Sequence, residues 1–167
     1  RLTYDEWREK MGRRLVVQSM RAREVLAKVR ISPQAVLDAF ETYRAETAHV
    51  ALSLGAVMVN DISALRFDPD LAGVVAEAGC DYILMHMQGT PATMQQQPSY
   101  ADVVAEVAAF LRERADYAAA CGIARDRIAI DPGIGFGKTT THNLELLRRT
   151  DVLAGLEMPV LVGPSRK

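Results

Sequence analysis

The chain has 167 residues, 49% hydrophobic and 25% charged, a balance that suits one domain with a buried core. A formal net charge of -1 argues against nucleic acid or an anionic membrane surface as a partner. No apolar run reaches the roughly 18–20 residues of a membrane span, and the charged start RLTYDEWREKMGRRL lacks the apolar stretch of a signal peptide, so the expectation is a cytoplasmic protein.

The chain begins at Arg1 rather than Met, which suggests a fragment. Residues 4–28 are Arg-rich, with Leu15, Val16, Met20, Val25 and Leu26 spaced for an amphipathic helix. Residues 33–43 are ambiguous, since AVLDAF fits a strand or a short helix. From Ala45 onward helix, apolar strand and polar loop alternate. Strands are expected at 56–63, 81–87, 127–131 and 158–163, each nearly continuously apolar as in a parallel sheet. Helices are expected at 70–79, closed by Gly79, and at 100–121, with Ser99 as N-cap and Asp102 in the first turn. A further helix at 142–153 carries Leu144, Leu146, Leu147 and Val152. The alternation predicts an α/β fold with neighbouring parallel strands. Cys80 and Cys121 have no CxxC partner and read as buried free thiols.

Polar residues gather where strands end: Asn60-Asp61, then His86 to Pro91, then Asp131-Pro132-Gly133, then Gly163 to Lys167. In a (β/α) barrel those ends converge on the face that holds the active site. Asn60 offers a donor and an acceptor, and ionised Asp131 offers acceptors, a set suited to a heterocycle with an aminopyrimidinone edge. Arg166 and Lys167 supply cations. The glycines of residues 131–138 would let Phe136 reach into the barrel mouth. An aspartate at 131 would ordinarily cap the next helix. That helix begins only near 140–142, which leaves the carboxylate for another partner.

Plainer readings stand beside these. Asn60-Asp61 also reads as a turn, His86 as a core histidine, His49 and His142 as solvated helix residues, and Met85 with Met87 as packing. Gly135 to Lys138 is not a P-loop, and no His, Cys, Asp or Glu spacing marks a metal site.

The strings VNDIS (59–63), LMHMQGTPATMQ (84–95), IDPGIGFGKT (130–139) and LVGPSRK (161–167) resemble, in order and spacing, the signature segments of dihydropteroate synthases. The resemblance implies a partial TIM (β/α) barrel: strands four to seven in residues 41–167, preceded by a divergent, helical segment at 1–40. It implies that Asn60 and Asp131 bond a pterin, that Met85 and Gly163 line its pocket, and that Ser165 and Phe136 contact 4-aminobenzoate. Lys167 would bridge the two substrates and share the catalytic role with Asp131; Arg166 has no defined role. The implied reaction joins 6-hydroxymethyl-7,8-dihydropterin diphosphate to 4-aminobenzoate in folate biosynthesis, releasing diphosphate. It further implies Mg2+ as cofactor, a homodimer, and a target for sulfonamides.

The family's NxTPDSF-like and GGxSTRPG-like loops have no counterpart here, and those loops hold the diphosphate and magnesium. Glu41-Thr42-Tyr43 stands where the family has Asp-Thr-Tyr, and the Arg-x-His segment is missing. The departures favour a truncated, inactive pterin-binding fragment as the alternative. A pterin-dependent methyltransferase domain is a further alternative, opposed by MHMQGTP and SRK.

Overall fold

The computed structural model describes residues 44–164, all of them in the unit Glu41–Lys167. The expected helix at 4–28, the ambiguous 33–43 segment, Glu41, Ser165, Arg166 and Lys167 lie outside the described residues. The elements run α1 (Arg44–Ser53), β1 (Met58–Asp61), α2 (Leu71–Ala78), β2 (Asp81–Met85), α3 (Val103–Ala120), a 3₁₀ turn (Arg125–Arg127), β3 (Ile128–Asp131), α4 (Thr140–Arg148) and α5 (Thr150–Ala154).

The three strands form one parallel sheet in the order β1-β2-β3, as the helix-strand alternation predicts. Its register sets what each side chain faces. Asn60 pairs with Ile83, and Ile83 with Ala129, while Met85 pairs with Asp131. Successive residues of a strand point to opposite faces, so Asn60, Ile83, Met85, Ala129 and Asp131 share one face. Tyr82, Leu84, Ile128 and Ile130 occupy the other and pack into the hydrophobic core with residues of α2 and α3. Ile83 and Met85 are buried yet stand outside that core. Each strand therefore serves two environments, which is why its sequence reads as continuously apolar.

The helices bury the stripes that periodicity predicts. In α3, Val103, Val104, Val107, Leu111, Ala115 and Ala118 are all buried. Gly79 closes α2 at φ 57°, donating its N–H to Val75 and Ala76 carbonyls. Three expectations change. The N-cap of α3 is Asp102, whose carboxylate accepts from Val104 and Ala105 N–H, while Glu106 reaches back to the N–H groups of Ala101 and Asp102. Ser99 is drawn away because Gln88 pairs with both its N–H and its carbonyl.

The single helix expected at 142–153 is two, broken at Arg149 (φ -110°, ψ 33°). The Thr150 hydroxyl donates to the Leu147 carbonyl at 2.9 Å and competes with the helical ladder. Of the expected apolar stripe, Leu146 is buried but Leu144 and Leu147 are exposed. Finally, the fourth strand contracts to one parallel bridge between Ile130 and Val160. Ile130 N–H donates to Pro159 O at 2.9 Å and Leu161 N–H to Ile130 O at 2.8 Å. Pro159 and Pro164 flank this bridge and have no N–H to extend it.

Candidate functional site

The C-terminal ends of the strands carry the polar loops, and each loop is ordered differently. After β1 the organiser is Asp61, which is 4% exposed. Its carboxylate accepts from Ser63 N–H and Oγ, from Leu65 N–H at 2.6 Å, and from Tyr82 Oη at 2.9 Å. Those bonds hold Ala64 and Leu65 at positive φ. Burial, and then the Asp61 charge, push the Tyr82 phenol pKa upward. Asp61 thus works on the helix side of the sheet as the turn residue the plainer reading expects. Its neighbour Asn60, on the opposite face, is exposed, and its side chain makes no hydrogen bond among the described residues.

After β2, Arg66 crosses from the first loop to donate to the Met87 carbonyl at 3.0 Å, its guanidinium over the Phe110 ring at 5.2 Å. His86 is 6% exposed and turns to the helix side, edge-on to Phe110 at 4.9 Å. It is a core histidine with a defined polar partner, described next.

The loop 131–138 lies flush against the end of β2. Gly133 (φ 66°) sits so close to the strand that a Cβ there would overlap the His86 carbonyl oxygen, and a Cβ on Gly137 (φ 63°) would meet the Gln88 carbonyl oxygen at 2.8 Å. Gln95 donates to Gly135 O at 2.6 Å, Tyr100 Oη to Gly137 O at 2.7 Å, and Gly135 N–H to Asn143 Oδ1 at 2.9 Å. Beneath the loop, the Lys138 ammonium donates to Phe136 O at 3.0 Å and to His86 O at 3.3 Å, and lies 2.8 Å from His86 Nδ1. An ammonium only donates, so Nδ1 accepts and the imidazole proton resides on Nε2. Burial, then the Lys138 and Arg66 charges, push the His86 pKa down to about 3. Burial pushes Lys138 down to about 7, opposed by the Asp131 charge.

Asp131 ends β3 at 8% exposure. Its Oδ1 accepts the Gly133 N–H at 2.7 Å, so one oxygen does find a local partner, contrary to the expectation that none was in reach. Among the described residues no donor reaches the second oxygen. It is not sealed off, because among the described residues no buried side-chain oxygen lacks a partner. Burial raises the Asp131 pKa, against the opposing Gly133 N–H and Lys138 charge.

Of the residues singled out by sequence, Asn60, Met85 and Asp131 lie on one face of the sheet at its C-terminal end. Phe136 is half-buried in the overlying loop, and Gly163 is exposed with open space where a Cβ would be. Ser165 and Lys167 lie outside the described residues. His142 is more than a solvated residue: it forms a capping box with Thr139 and packs edge-on to Tyr100 at 5.0 Å. Sequence reasoning gave Lys138 no role beyond a loop cation and read His86 as a core histidine without its polar partner. The signal available was that each falls inside one of the motif strings. An open acceptor oxygen on β3 and an uncommitted carboxamide on β1, with a thioether from β2 on the same face, suit a planar ring that presents N–H donors next to acceptors. Among the described residues no three His, Cys, Asp or Glu side chains gather to hold a metal ion.

The family described as "Pterin binding enzyme" matches residues 13–167, a span that starts well before Glu41. The dihydropteroate synthase of Synechocystis is 46% identical over 127 residues, 76% of this chain and 44% of that protein. The crystal structure of Yersinia pestis dihydropteroate synthase with a sulfonamide complex superposes with a TM-score of 0.72 at 34% identity, covering 83% of this chain and 56% of that one. The Xanthomonas albilineans dihydropteroate synthase in complex with 7,8-dihydropteroate superposes at 0.67 with 45% identity, covering 75% and 45%. The chain spans about half the length of the curated relatives it matches.

Proposed function

The chain belongs to the pterin binding enzyme family, with the parallel strands and helices of a partial α/β barrel, and from this we propose that it carries the pterin-recognition half of a dihydropteroate synthase. The observation that carries the reading is the shared sheet face of Asn60, Met85 and Asp131, with the 131–138 loop folded against it. In this reading the Asn60 carboxamide and the open Asp131 oxygen bond the polar edge of the pterin, while Met85 and Gly163 line its flat faces. Phe136 and Ser165 contact 4-aminobenzoate, and Lys167 bridges the two. The step is dissociative: the amine of 4-aminobenzoate captures the pterin methylene cation left by the departing diphosphate, and then loses a proton. The carbon–oxygen bond breaks and diphosphate departs with its electron pair. The chain's contribution is orientation and fixed charge rather than a covalent intermediate.

Mg2+ would assist departure of the diphosphate, but the described residues offer no cluster that fits it, and no step is assigned to it here. No helix among the described residues is long and apolar enough to cross a membrane, and we assign the protein to the cytoplasm, a placement that cell fractionation would read. The partner is proposed to be a second copy. Exposed Leu144 and Leu147 on α4 support this, and sedimentation of wild type against Leu144→Glu tests it, with a wild-type monomer at high concentration the refuting result.

The functional test is calorimetric titration of the 167-residue chain with 6-hydroxymethylpterin, then with 4-aminobenzoate and diphosphate. Saturable pterin binding is the expected result, and aminobenzoate binding only afterwards. A chain that folds but ignores the pterin refutes the reading. The inactive-fragment alternative is distinguished by a synthase assay: pterin binding without turnover selects it.

A further inference from the structure

We propose that Lys138 is a positioning residue for the pterin site, holding the 131–138 loop onto the end of β2 through His86 and so fixing Asp131 and Phe136 where the ring is received. A lysine at 4% exposure is costly to bury, and this one is not placed at the sheet face where it could touch a ligand directly. It lies underneath the loop. Its ammonium meets one acceptor within the loop, Phe136 O at 3.0 Å, and two on the strand extension, His86 Nδ1 at 2.8 Å and His86 O at 3.3 Å. A single group therefore ties loop to strand across 52 residues of chain.

The surroundings are built for that contact. The same His86 carbonyl oxygen is the atom that forbids a side chain at Gly133, and Gly133 N–H is the donor that fixes Asp131 Oδ1. Lys138, His86, Gly133 and Asp131 thus form one continuous chain of contacts ending at the carboxylate proposed to read the pterin. The charged and titratable groups facing Lys138 are His86 from the end of β2 and Asp131 from β3. Arg66, from the loop after β1, acts on His86, and Tyr100 bonds the same loop at Gly137. Uncharged His86 accepts the bond; protonated, it would repel the ammonium.

The inference rests on the pterin-binding reading for its ligand measurement, and the test separates the two. Amide hydrogen exchange over residues 133–137 and calorimetric titration with 6-hydroxymethylpterin are compared for wild type, Lys138→Met and Lys138→Arg, each first checked by a thermal melt. The expected result is that Lys138→Met loses exchange protection in the loop and binds the pterin about tenfold or more weakly, the loss typical of a charged hydrogen bond. Lys138→Arg, which keeps the charge and donors, recovers part of both.

Lost protection with affinity within twofold of wild type overturns the positioning role, as does unchanged protection. If wild type binds no pterin, the functional reading fails and exchange alone decides whether Lys138 holds the loop. If Lys138→Met does not fold, wild-type exchange decides. Opening the loop returns Lys138 to its ordinary, higher pKa, so loop protection, corrected for its intrinsic pH dependence, should rise as pH passes about 7. A flat profile there overturns the proposal.

Discussion

Replacing Asp131 with asparagine separates ligand recognition from folding. The Gly133 N–H sits 2.7 Å from Oδ1 and needs an acceptor, so the asparagine must orient its oxygen there. Its nitrogen then takes the place of the open carboxylate oxygen and presents a donor where the pterin also presents a donor. The loss is a hydrogen bond to a charged acceptor, about 1.5–3 kcal/mol, or roughly ten- to hundredfold in affinity. Folding is affected through two opposed effects. Burial raises the Asp131 pKa, so the native state bears a cost for its charge that asparagine does not. Against this, buried Lys138 loses the negative charge that offsets its own burial. The net change should be about 1 kcal/mol or less, in the range of an unexceptional substitution. Calorimetric titration with 6-hydroxymethylpterin beside a thermal melt reads both quantities. Unchanged affinity with a large fall in melting temperature would show Asp131 to be a loop-former only.

Three further outcomes follow from the geometry. Gly133→Ala places a methyl group on the His86 carbonyl oxygen at a left-handed φ of 66°, and a urea melt should show a loss of about 2–4 kcal/mol; an unchanged midpoint would mean the loop does not pack there. Tyr82→Phe leaves buried Asp61 short of one donor and should cost about 1.5–3 kcal/mol by the same measurement, with a cost near zero refuting it. His86 titrates near 6.5 unfolded but at about 3 folded, so between those values the unfolded chain binds more protons and stability falls as pH falls, by about 1.4 kcal/mol per unit. His86→Asn, which keeps an acceptor and cannot titrate, should remove that dependence; equal pH slopes in the two proteins would refute the assignment.

The parallel order of β1, β2 and β3 was readable because each strand is a short apolar run ending in polar residues, and period and punctuation are properties of sequence alone. The buried stripe of α3 was readable for the same reason. Its cap was not, because Ser99 and Asp102 are both good caps and the choice was made by Gln88, 11 residues before Ser99. The break at Arg149 was hidden as well: Thr150 fits a helix by composition and departs from it through its hydroxyl. At the site, Asn60, Met85 and Asp131 could be assigned to strand ends, whereas their common face depends on register between strands, which no single strand reveals. Lys138 was illegible because its meaning comes from His86, distant in sequence and brought under it only by the fold.

The alternation along β1 bears on how such a chain can change over generations. Asn60 and Asp61 are adjacent and chemically alike, yet one shares a face with Met85 and Asp131 and the other ties down a turn behind the sheet. Loss of a single codon just upstream would exchange their environments, sending the turn-former inward and the carboxamide among the helices. Substitutions at either position can be sampled one at a time, but length cannot. Insertions and deletions that survive in these strands should come in pairs of residues, or fall in the loops where no alternation has to be kept.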